Sequence, residues 1–131
     1  MIVYDIKESF VQRDMDLVRQ LLLRLEQDPN MDGKHSVCFT PADLGMADRS
    51  TAEIGYHLNL LIDAGFVRGR SGFDDMPMLF KFTWEGHEFL DNIKDAGVWA
   101  KTRKRVEGLS GVALKVVAAI AEAEIKKHLG L

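Results

Sequence analysis

Apolar residues first recur at helical spacing between Arg13 and Gln27, where Met15, Val18, Leu21, Leu22 and Leu25 fall on one face. Asp14 and Asp16 in the first turn favour the positive end of the helix dipole, and Asp28-Pro29 ends the run. The β-branched and aromatic stretch His35-Ser36-Val37-Cys38-Phe39 predicts a short edge strand. Thr40 as cap, Pro41 at the first helical position and Asp43 then predict a short second helix, limited by Gly45. Ser50-Thr51-Ala52-Glu53 is a capping box opening a third helix over Thr51–Ala64, which buries Ile54, Leu58, Leu61 and Ile62 and closes at Gly65.

Phe66–Arg70 and Met78–Phe82 flank the turn-forming stretch Ser71–Pro77, which predicts a hairpin. Three helices follow: one capped by Thr83 and packing Phe89, Leu90 and Ile93, one over about Val98–Glu107, and one over about Ser110–Leu129. This order predicts a mainly α chain with a small antiparallel β-sheet: a winged helix-turn-helix with a C-terminal helical extension. It divides into an N-terminal extension (1–12), a winged-helix domain (13–95) and the C-terminal extension (96–131).

An apolar share of 47% against 28% charged residues is enough to bury a core, so disorder is excluded as the overall state. The net charge of −3 gives no global attraction to polyanions, so any contact with nucleic acid must be a local basic patch. Cys38 is the single cysteine, which excludes an intramolecular disulfide and a thiolate zinc site and points to a reducing cytoplasm. Neither a leader sequence nor a membrane-spanning run is expected. The four histidines, His35, His57, His87 and His128, lack the i, i+4 pairing of a helical metal site, so no metal or cofactor is expected. His57 and His87 read as core-edge imidazoles with backbone or carboxylate partners. Glu85-Gly86-His87-Glu88 has no accompanying nucleophile or phosphate loop, so the chain reads as non-enzymatic.

Candidate DNA contacts are read from the outward side of the third helix, which presents Tyr56 and Asn59, with Thr51 at its start and Arg49 just before it. That helix contains no Lys or Arg, and Glu53 and Asp63 would repel phosphate. On the wing, Arg68 and Arg70 occupy alternate positions and share a face, opposed by Asp74 and Asp75 at the tip. The densest basic run holds Lys101, Arg103 and Lys104, near Trp99. Gly55 in mid-helix implies a close neighbour, either DNA backbone or Trp84 or another helix. Trp84 and Trp99, with Phe82 and Phe89, are expected to lock the C-terminal helices onto the wing. The last helix spreads Val112, Leu114, Val116, Val117, Ala118, Ile120, Ala121 and Ile125 over an arc that calls for two neighbours, one of which can be a second copy in a homodimer.

Four separated strings resemble a small family of bacterial and prophage proteins catalogued as domain of unknown function 2513. They are Arg13–Arg19, Tyr56–Leu61 with Ala64-Gly65, Thr83–Ile93 with Val98-Trp99, and Leu129-Gly130-Leu131. The resemblance implies no activity. Asp43–Thr51 followed by His57–Val67 also resembles the second helix, turn, third helix and first wing strand of winged-helix repressors. The resulting expectation is double-stranded DNA binding, as in a small transcriptional regulator. The alternative is a protein-interaction module using the last helix and the acidic surface.

Overall fold

Asp14, in extended backbone, starts the first helix by accepting the Leu17 N–H on Oδ1 at 3.1 Å. The computed structural model describes residues 11–107, 109 and 111–131, so most of the N-terminal extension lies outside the described residues, as does Ser110. Its elements are α1 (Met15–Glu26), α2 (Thr51–Asp63), β1 (Val67–Phe73), β2 (Met76–Phe82), α3 (Trp84–Ile93), α4 (Ala96–Glu107) and α5 (Leu114–His128). The chain is mainly helical with one small antiparallel sheet, as the hydrophobic pattern predicts.

Local capping explains the helix starts. Ser50 Oγ accepts the Glu53 N–H at 3.1 Å and Thr83 Oγ1 accepts the Gly86 N–H at 3.0 Å. Asp95 Oδ1 accepts the Val98 N–H at 2.9 Å, which opens α4 at Ala96 rather than at Val98. The expected second helix does not form. Thr40 and Asp43 do exchange bonds, Thr40 N–H to Asp43 Oδ2 at 2.9 Å and Asp43 N–H to Thr40 Oγ1 at 3.1 Å. The run from Pro41 nevertheless stays as turns, because Gly45 adopts a left-handed φ of 70° before a second turn can add bonds. The expected edge strand shrinks to a single bridge between Val37 and Leu79, since Phe39 enters the core and the Pro41 turns follow at once.

The hairpin is longer and tighter than the turn-rich sequence implied. Its strands run to Phe73 and from Met76, leaving Asp74 and Asp75 as the connecting turn at φ 49° and 67°. Two positive φ values are what a type I′ turn needs, and aspartate tolerates them. Val67 lies opposite Phe82, Arg68 opposite Lys81 and Arg70 opposite Met78, with a bulge at Phe80 between the Lys81 and Leu79 pairings.

The fully buried residues Leu17, Leu21, Leu22, Ile54, Leu58, Leu61, Leu79, Leu90 and Ile93 form the centre of one apolar cluster. Each such side chain contributes about 1.5–3 kcal/mol. The same cluster continues through Trp99 and Val106 of α4 to Leu114, Val117 and Ala121 of α5. Trp99 is buried and its Nε1 donates to Asp16 Oδ1 at 2.9 Å, tying α4 to α1. Trp84 does not lock anything onto the ribbon. It is 73% exposed and its Nε1 bonds Glu88 Oε1 one turn on, because Gly86 and Phe89, not Trp84, lie on the buried face of α3.

Candidate nucleic-acid interface

Helix α2 buries Ile54, Gly55, His57, Leu58 and Leu61 and leaves Ala52, Tyr56, Asn59 and Asp63 exposed. The ribbon packs along one flank of it. A methyl group added at Gly55 would overlap the Asp75 carbonyl, so the neighbour that requires glycine is the ribbon turn itself, neither Trp84 nor another helix. Asn59 Nδ2 donates to the Gly55 carbonyl at 3.0 Å and sits beside the ribbon end at Ser71, Gly72 and Asp75.

Arg49 is engaged internally. Its Nη1 lies 3.2 Å from Asp14 Oδ2 and 3.0 Å from Glu53 Oε2, joining the start of α1 to the first turn of α2. Burial pushes the Asp14 carboxyl up, but the Leu17 N–H and the Arg49 guanidinium outweigh it and hold the group below its ordinary value. His57 completes this junction. Its Nε2 accepts the Asp14 backbone N–H at 2.7 Å, so Nδ1 must carry the proton that bonds the Glu53 carbonyl at 2.7 Å. The ring is fully buried with both nitrogens satisfied, whereas His87 is exposed, 3.9 Å from Glu26 and lying against the Phe82 ring.

The ribbon's outer face differs. Gly69 points its bare Cα at Ile62 of α2, so Arg68 and Arg70, at alternate positions, project away from that helix. Lys81, paired across the strands with Arg68, is exposed beside them, and the Arg70 guanidinium lies 5.6 Å from the centre of the Phe80 ring. Among the described residues, none of these three cations is within ion-pair distance of a carboxylate. Lys81 was not singled out from the sequence. Its partnership with Arg68 depends on the register, hence on a turn of two residues where the sequence offered a turn-rich stretch of seven.

The basic run on α4 is divided. Arg103 pairs with Asp16 at 2.9 Å and Arg105 with Glu124 at 3.0 Å, leaving Lys101 and Lys104 exposed. Helix α4 packs on α3 and α5. The predicted contacts therefore fall into three groups: Thr51, Tyr56 and Asn59 on α2, Arg68 and Arg70 behind the ribbon, and the α4 lysines. A cleft of about 770 Å³ opens between the start of α1, the start of α2, α4 and α5. Its wall residues Asp14, Glu53 and Arg103 are already in ion pairs.

The profile of the family described as "Hypothetical protein (DUF2513)" matches residues 12–113. The chain belongs to the DUF2513 family. An uncharacterized protein of Haemophilus influenzae is 28% identical over 123 residues, covering 91% of this chain and 99% of that protein. No solved structure matches. Three of the four strings that pointed to this family contribute Asp14, Asp16, His57, Phe89, Leu90, Ile93, Val98 and Trp99 to the core or to the network beneath it, while the fourth, Leu129-Gly130-Leu131, is exposed and lies beyond the matched residues. Among the described residues of this DUF2513 protein, no helix is long and apolar enough to cross a membrane and no cluster of metal-ligating side chains occurs.

Proposed function

We propose that this DUF2513 protein is a cytoplasmic winged-helix module that binds double-stranded DNA, with the ribbon supplying the phosphate contacts. The observation that carries the reading is the outer ribbon face, where Arg68, Arg70 and Lys81 stand exposed and, among the described residues, without carboxylate partners. Cations already paired internally must give up one partner to take another, whereas unpaired ones release only counterions when they meet phosphate. The order α1, turns, α2, ribbon, α3 supports the winged-helix assignment, with turns standing in for the second helix. A role as a transcriptional regulator additionally requires Tyr56 and Asn59 to reach bases.

Titration of a fluorescent duplex at about 50 and 200 mM salt tests the reading: affinity should fall steeply with salt and drop further in Arg68→Gln/Arg70→Gln. Absence of binding at the lower salt removes it. The second reading, a protein-interaction module, draws on α5, where Val116 is 47% exposed although Val117 and Ala121 are buried. A homodimer through that face predicts a concentration-dependent mass in sedimentation.

A further inference from the structure

We infer that the ribbon grips the duplex backbone without reading base sequence. This deepens the DNA-binding reading above and rests on it. Sequence readout needs hydrogen-bonding side chains at base edges, whereas phosphate contacts only position a protein. The two kinds of group are segregated here. Helix α2 packs on the inner side of the ribbon through Ile62 and Gly55, while Arg68 and Arg70 leave from the outer side. When the outer side faces phosphate, Tyr56 and Asn59 remain on the far side of the ribbon.

Helix α2 is also poorly suited to approach DNA by itself. Its outward residues Ala52, Tyr56, Asn59 and Asp63 include no cation, and the exposed Asp74 and Asp75 border them at the ribbon turn. The one amide of that face, Asn59, already donates to the Gly55 carbonyl. The outer ribbon face offers charge and little else: beside its cations are Met78 and Phe80, both half-buried, and Arg70 is held against the Phe80 ring. A face of this kind attracts phosphate through charge and presents no amide to distinguish one base pair from another.

Three neutralised phosphates set a quantitative expectation, a slope of log K against log salt of about −2.7 for a duplex. The test measures binding of the full chain to equal-length A·T-only, G·C-only and mixed duplexes by fluorescence anisotropy over a salt series. The expected result is affinities agreeing within about twofold across the three sequences, a slope near −2.7, and a slope reduced by about 0.9 in each of Arg68→Gln, Arg70→Gln and Lys81→Gln. Asn59→Ala should change none of these values. A preference of about tenfold for one sequence, or weakening by Asn59→Ala, overturns the inference while leaving DNA binding intact. Salt-dependent binding whose slope ignores all three ribbon substitutions overturns the ribbon's role. No salt-dependent binding to any duplex overturns the underlying reading as well.

Discussion

The junction of α1 with α2 and the outer face of the ribbon both carry arginines, yet the two regions put them to opposite use. At the junction, Arg49, Asp14, Glu53 and His57 satisfy one another, with every contact between 2.7 and 3.2 Å. On the ribbon, Arg68, Arg70 and Lys81 have no carboxylate within reach among the described residues and face solvent. The difference is one of availability: a cation held by two carboxylates stabilises the fold, and one left alone can stabilise a complex. Arginines that look equivalent along the chain therefore separate into structural and interaction groups.

Substitutions at the junction should cost stability and those on the ribbon should not. His57→Leu should have the largest effect, about 2–3 kcal/mol by urea unfolding, because it removes both bonds of the fully buried imidazole and leaves the part-buried Asp14 N–H without its partner. A loss under about 0.5 kcal/mol would mean that the imidazole bonds contribute nothing beyond packing. Asp14→Asn comes next. Asparagine still caps a helix, so the change isolates the pairing with Arg49, and partial exposure keeps the cost to about 0.5–1 kcal/mol near neutral pH.

The sign of the pH dependence follows from the depressed Asp14 group. Its stabilisation is fully present above the ordinary value of 3.8 and is lost as pH falls through the lowered folded-state value. Wild type and Asp14→Asn should accordingly converge in stability on acidification, and a gap that persists at low pH would contradict the ion-pair account. The smallest effect belongs to Arg68→Gln and Arg70→Gln, each expected to leave stability within about 0.5 kcal/mol. A larger loss in either would place that arginine with the junction group and blur the contrast.

Much of the fold was legible because its signals are short-range. The Ser50 and Thr83 caps each act within three residues, and the apolar stripes of α1, α2 and α3 follow directly from helical spacing, whereas Asp14, read as a first-turn acid, is the cap of α1. The same locality misled at Thr40: the mutual bonds with Asp43 form, but a cap cannot pay for a helix that Gly45 stops within a turn. Trp84 misled in another way, since its size suggested burial although its place on α3 points it outward.

By itself the sequence determined helices α1 to α5, the glycine-demanding site at position 55, the shortage of positive charge on α2 and the mainly helical class with its small sheet. Only the tertiary structure decided that Asp75 of the ribbon turn is what crowds Gly55, that Lys81 joins Arg68, and that Arg49 and Arg103 are held by acids 35 and 87 residues away along the chain (49 − 14 and 103 − 16). The physical reason is that capping and periodicity act over one or two turns. Strand register and ion pairing depend instead on which distant segments the packed core brings within a few ångströms.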